Sequence, residues 1–278
     1  MKLGVRAHDF GKLPAAELAA QIARHDLESV QLAPQKAIAN FDPDTGRLTQ
    51  DFAASTRDAF LRHGVQIAVL GCYINLGDRN EATRRPQLDR FKEYLRFARD
   101  FGCNVVGTET GSLNTDFSRH PENGGKEAFQ IVLSSVRELV NEAEKFGVIV
   151  CIEAVERYVI SSPQRLRRLL DAVDSPNLQV IYDPVNLLSS TNYDREAQIV
   201  EEAHTLLGDR IRVVHAKDYS VSGTQFQEMS AGEGLLDYQK ILRWIKQYKP
   251  EVDVLLENTH PKTIGRSLAF LREAYRVA

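Results

Sequence analysis

The sequence predicts an α/β chain closed into a (β/α)8 TIM barrel, and three observations lead there. Short apolar runs alternate with amphipathic stretches from end to end, and eight of each can be counted. The 278 residues divide among eight units at about 35 residues each, the length of one strand and its helix. The runs also show little period-two alternation, as strands buried on both faces should.

The first run lies near residues 2–7 and is followed by a helical pattern near 14–26. Further runs lie near 28–33, 65–71, 103–108, 148–153, 178–183, 211–216 and 252–257. Helices are expected near 49–63, 84–101, 125–146, 162–173, 193–207, 236–248 and 263–277. The pattern is clearest at 125–146, where Phe129, Val132, Leu133, Val136, Leu139, Val140 and Ala143 make one stripe. Gly147 then stops the helix, because glycine accepts the left-handed conformation beyond a helix end. The same punctuation recurs at His63-Gly64, Phe101-Gly102 and Leu207-Gly208. Asp237 is placed to cap the helix near 236–248, where Trp244 joins Ile241, Leu242, Ile245 and Tyr248 on a stripe suited to core or to a subunit contact. No composition shift or linker divides the chain, so residues 1–278 are expected to form one domain. An open doubly wound sheet is the competing architecture, but no G-x-G-x-x-G follows the first run and no P-loop motif occurs.

Composition narrows the function. Lys and Arg total 35 against 38 Asp and Glu, a net charge of −3, which leaves no basic field for a nucleic acid. At 43% hydrophobic and 26% charged the chain has the make-up of a folded domain, with no apolar run long enough to span a membrane. The N-terminus, MKLGVRAHDFG, has no apolar secretory core, so a cytoplasmic location is expected. Cys72, Cys103 and Cys151 are odd in number and widely spaced, which argues for reduced thiols rather than disulfides or a structural zinc.

In a barrel of this type the chemistry sits at the carboxyl ends of the strands. Those ends carry His8 after the first run, Glu109 after the fourth, Glu153 at the fifth, Asp183 at the sixth, His215 in the seventh and Glu257 at the eighth. The last four runs thus end consecutively in groups able to bind a metal. Three carboxylates at one mouth repel each other unless a cation holds them. Three carboxylates with one imidazole suit one Mn2+ or Mg2+ ion, with Co2+, Fe2+ and Zn2+ also admissible. A polar strand end can also simply cap the next helix.

Several segments carry a resemblance in chain order: Ile152-Glu153-Ala154-Val155-Glu156-Arg157-Tyr158, Tyr182-Asp183-Pro184-Val185-Asn186, Val214-His215-Ala216-Lys217-Asp218, Gly232-Glu233-Gly234 with Asp237, and Leu256-Glu257-Asn258. Together they resemble the xylose isomerase-like barrel family, which includes ketose 3-epimerases, hydroxypyruvate isomerases, inosose dehydratases and, more distantly, apurinic endonucleases. The resemblance implies that Glu153, Asp183, His215 and Glu257 hold one divalent ion. It implies that Glu153 and Glu257 carry protons during isomerisation or epimerisation of a small sugar or keto-polyol through a metal-stabilised enediolate. It allows a homo-oligomer, either a dimer or a tetramer.

The substrate shell departs from ketose 3-epimerases. Asn186 stands where they have a histidine, Lys217-Asp218-Tyr219 replaces a Glu-Asn-Asp-Arg-like turn, and Glu156-Arg157-Tyr158-Val159 keeps only the arginine of Asn-Arg-Phe-Glu. His8, Glu109, Arg157, Asn186 and Lys217 are therefore the candidate substrate contacts. Glu233 reads as structural, Arg165, Arg167 and Arg168 as an exposed helix face, and His25, His63 and His204 as solvated surface residues. A dehydratase on the same metal site, an endonuclease and an inactive sugar-binding barrel are the alternatives. The endonuclease would need extra histidines at strands two, three and six, where this chain offers Leu32, Gly71 or Cys72, and Asn186.

Overall fold

Each of the eight apolar runs forms a strand, and all eight are joined in one closed parallel sheet. The computed structural model describes residues 1–44 and 46–278. The strands are β1 (Lys2–Arg6), β2 (Ser29–Leu32), β3 (Gln66–Gly71), β4 (Val105–Glu109), β5 (Ile149–Glu153), β6 (Leu178–Tyr182), β7 (Ile211–Ser222), β8 (Gln225–Ser230) and β9 (Asp253–Leu256). All except β8 run parallel. Neighbours pair in chain order from β1 to β6, then β6 pairs with β7, β7 with β9 and β9 with β1, which closes the ring. The expected (β/α)8 barrel is therefore the observed fold.

The outer layer consists of α1 (Ala15–Ala23), the single turn α2 (Pro34–Ala37), α3 (Gln50–Leu61), α4 (Glu81–Phe97), α5 (Lys126–Phe146), α6 (Pro163–Val173), α7 (Glu196–Leu207), α8 (Tyr238–Tyr248) and α9 (Ile264–Val277). In α5 the predicted stripe is the buried face, and Gly147 ends it at φ 61. Asp237 caps α8 by accepting from the amides of Gln239 and Lys240. All three cysteines are free and buried.

Four details differ from the sequence reading. Strand β7 continues past residue 216, and β8 returns antiparallel to it from Ser222↔Gln225 to Lys217↔Ser230 across a two-residue turn at Gly223-Thr224. This hairpin was invisible to a search for continuous apolar runs, since 217–230 mixes polar and apolar residues. Gly208 is right-handed rather than left-handed. It is needed for closeness, because a Cβ there would lie 2.5 Å from the His204 carbonyl and 2.9 Å from the Trp244 ring. His204 is buried, not solvated: it stacks on Trp244 at 4.4 Å and meets Tyr182 edge-on, since it falls on the inner stripe of α7. Arg165 is not a free surface charge, for it donates to the carbonyls of Val159, Gly124 and Asn123 at 2.7, 2.8 and 3.2 Å.

Candidate active site

Strand geometry gathers the acids. Side chains two apart on a strand share a face, so His215 and Lys217 of β7 project together. Register does the rest: Glu109 is the partner of Glu153 across β4 and β5, and Ala216 pairs with Leu256, which brings Glu257 level with Lys217. Glu153, Asp183, His215, Lys217 and Glu257 are all buried.

Glu153, Asp183 and His215 each offer a ligand atom, and these atoms lie within 4.8 Å of one another. Glu257 stands against this group. One of its oxygens is 3.3 Å from His215 Nδ1, the same distance as Glu153 Oε1, while Asp183 Oδ2 is 4.0 Å away. The other oxygen of Glu257 faces Lys217 Nζ at 3.3 Å and Arg6 at 3.5 Å.

His215 Nε2 lies 2.7 Å from Gln31 Oε1, and the Gln31 amide donates to the Tyr73 hydroxyl. Asp183 Oδ1 accepts from the amides of Val185 and Asn186 at 2.8 and 3.0 Å. Asp183 Oδ2 has no hydrogen bond among the described residues, although Lys217 Nζ is 3.2 Å away. Asn186 donates to Glu153 at 2.6 Å and accepts from Lys217 at 2.8 Å. The hairpin adds Glu228, which ion-pairs with Lys217 at 3.3 Å and accepts from Asn258 at 2.5 Å.

These contacts set the charges. Burial disfavours a proton on His215, but Glu257 and Glu153 outweigh it and hold the imidazole up to about 9. Burial raises Asp183 above the usual carboxylate range, against the pull of Lys217. Burial also works to raise Glu257, yet His215, Lys217 and Arg6 prevail and hold it low. Burial, then Glu153 and Glu257, raise Glu109.

Of the other sequence candidates, His8 sits in a short turn after β1 with a buried Nδ1 that has no hydrogen bond among the described residues. Burial, Arg6 and Lys36 lower its imidazole to about 3. Arg157 lies at the rim with its guanidinium 4.9 Å from the Tyr158 ring centre. Sequence reasoning missed Arg6, Gln31, Lys36, Tyr73 and Glu228. Gln31 did leave a signal, as an amide inside an apolar run, whereas Glu228 belongs to the unpredicted hairpin.

The chain belongs to the xylose isomerase-like TIM barrel family, whose model matches residues 19–274. A 3-oxo-isoapionate decarboxylase from Pectobacterium atrosepticum is 25% identical over 198 residues, covering 69% of this chain and 63% of that protein. A probable L-ribulose-5-phosphate 3-epimerase from Mycoplasma pneumoniae is 23% identical over 205 residues, covering 72% of this chain and 62% of that one. The matches thus span slightly under two thirds of the length of these relatives. Among solved structures, a D-tagatose 3-epimerase-like protein superposes with a TM-score of 0.78 at 20% identity, covering 100% of this chain and 98% of that one, which shows a shared fold. No helix among the described residues is long and apolar enough to cross a membrane.

Proposed function

We propose that this chain is a divalent-metal-dependent isomerase or epimerase of a small keto-sugar or keto-polyol. In this reading Glu153, Asp183, His215 and Glu257 ligate one ion, and Glu153 and Glu257 carry the protons. The observation behind it is the convergence of Glu153, Asp183 and His215 within 4.8 Å, with Glu257 3.3 Å from the same ring nitrogen. The donor set fits an ion on its own chemistry. Asp183 keeps a buried oxygen without a hydrogen bond, and His215 turns Nδ1 toward the acids while Gln31 occupies Nε2. Such an oxygen-rich set favours Mn2+ or Mg2+ and admits Co2+, Fe2+ or Zn2+. A bound ion supplies Lewis acidity, which acidifies the hydrogen beside a chelated carbonyl.

The protein's own groups do the rest. Glu153 and Glu257 lie 3.3 Å from His215 Nδ1 each, so two carboxylates address one small volume from the ends of β5 and β9, which β6 and β7 separate in the ring. One takes the proton from the substrate carbon, and the other returns a proton to the opposite face or to the adjacent carbon. Lys217 places a buried positive charge where negative charge grows on a substrate oxygen. Asn186 orients Glu153 through its 2.6 Å bond, and His8, Glu109 and Arg157 complete the substrate shell.

The test is titration of chelator-stripped protein with Mn2+ beside Asp183→Asn, then incubation of a ketose panel in heavy water. About one ion per chain is expected, with affinity down at least tenfold in the variant. Deuterium incorporation should disappear in Glu153→Gln and Glu257→Gln. Absence of Mn2+ binding in the native protein would overturn the reading.

The relationship to the decarboxylase, at 25% identity, favours a second reading. A β-keto acid in the same site would lose CO2 as its C–C bond breaks, and the electron pair left on carbon would take a proton from Glu153 or Glu257. Release of CO2 from a keto-acid panel distinguishes this from isomerisation.

A further inference from the structure

We propose that the cavity beside Glu109 seats a terminal anion of the substrate, a phosphoryl or carboxylate group, held between Lys36 and Arg157. This rests on the reading of the metal site as a keto-sugar site and narrows its substrate class.

The cavity has a volume of about 540 Å3, within the range roughly 300–1,000 Å3 usual for small-molecule pockets, and Lys36, Tyr73, Glu109, Arg157 and Tyr158 contribute to its lining. It adjoins the proposed metal ligands by two routes. Glu109 is the register partner of Glu153. Tyr73 accepts from Gln31, which itself bonds His215. A molecule engaged at Glu153 and His215 therefore extends naturally into it.

The cations of the mouth divide into two kinds. Arg6 and Lys217 are already matched, Arg6 with Asp9 and Glu257, Lys217 with Asp183, Glu228 and Glu257. Lys36 and Arg157 have no carboxylate within 4.0 Å among the described residues. Each is instead held over an aromatic ring, Lys36 Nζ at 3.9 Å from the centre of Tyr73 and the Arg157 guanidinium at 4.9 Å from that of Tyr158. Such stacking fixes the position of a cation without neutralising it. Glu109, the carboxylate of the same cavity, attracts both from beyond 4.0 Å, so two positive charges face one negative charge and the concave site keeps a surplus of positive potential. The guanidinium fork matches a carboxylate or phosphoryl group in shape, and the ammonium adds a second donor. A neutral sugar would leave that surplus charge without a counterpart.

The experiment compares three probes by calorimetric titration, with and without Mn2+: D-ribulose, D-ribulose 5-phosphate and 5-keto-D-gluconate. At least one anionic probe should bind about tenfold or more tightly than D-ribulose, and this advantage should weaken as salt rises. The phosphate and carboxylate arms identify which anion the site takes. In Lys36→Met and in Arg157→Met, whose side chains are exposed at the rim, the advantage should fall below about threefold with the melting temperature retained. Absence of a tenfold advantage in the native protein, including failure of all three probes to bind, overturns the proposal. So does an advantage that survives both substitutions. Failure of Mn2+ to bind counts against the metal reading alone, because the comparison of probes is also made without it.

Discussion

His215 Nε2 sits 2.7 Å from Gln31 Oε1, and this contact decides which ring nitrogen faces the acids. With Nε2–H donating to Gln31, the Nδ1 lone pair is left for an ion once its proton departs. Gln31 is held in that orientation because its amide group donates to Tyr73. Replacing Gln31 with Leu should lower Mn2+ affinity by about 10- to 100-fold with the fold intact. Calorimetry decides the point, and an unchanged affinity would mean that the imidazole is oriented without the amide.

Metal binding should strengthen with pH. His215 is held up to about 9, so at neutral pH an incoming ion must displace its proton. Affinity is therefore weakest in acid and should rise roughly tenfold per pH unit up to about 9, above which the proton is already gone. The raised carboxyl of Asp183 makes the dependence steeper at the acid end, where a second proton has to leave. Mn2+ titrations at several pH values between 6 and 8.5 measure the slope, and a flat profile would contradict a His215 ligand.

Lys217 is the buried counter-charge of the acids, lying 3.2 Å from Asp183 and 3.3 Å from Glu257. Lys217→Met removes one partner of a buried ion pair, at a cost of about 3–5 kcal/mol. The loss should be largest in chelator-treated protein and should shrink when Mn2+ is added, because the ion then offsets the same carboxylates. Thermal melts with and without Mn2+ test this, and an equal loss in both would separate Lys217 from the metal ligands.

Asp218 ties the hairpin to the loop before α8. Its carboxylate accepts from the amides of Tyr219, Leu236 and Gly232 at 2.8, 2.9 and 3.1 Å. Asp218→Ala leaves buried donors unpaired and should cost about 2–4 kcal/mol in urea unfolding. A loss below about 0.5 kcal/mol would show that these amides find other partners.

The residues that the sequence pointed out are those whose position follows from strand ends alone. Glu109, Glu153, Asp183, His215 and Glu257 each sit at or beside the end of a buried run, so counting apolar runs was enough to bring them to one mouth. Arg6, Gln31 and Lys36 were overlooked for a physical reason. Arg6 meets Glu257 across the neighbouring strands β1 and β9, Gln31 meets His215 through the barrel interior, and Lys36 lies over Tyr73, all at sequence separations that no periodicity encodes. The hairpin escaped notice because polar and apolar residues mix along 217–230 and no residue of β8 is buried, so no apolar run stands out.

By itself, then, the sequence determined the barrel, its order of strands and the acids at its rim, since apolar periodicity and glycine stops are local properties of the chain. Only the tertiary structure decided which cations those acids neutralise. Arg6 and Lys217 are matched at 2.8–3.5 Å, while Lys36 and Arg157 are left over tyrosine rings. Pairing of charges depends on distance through space, and closure of the ring sets that distance.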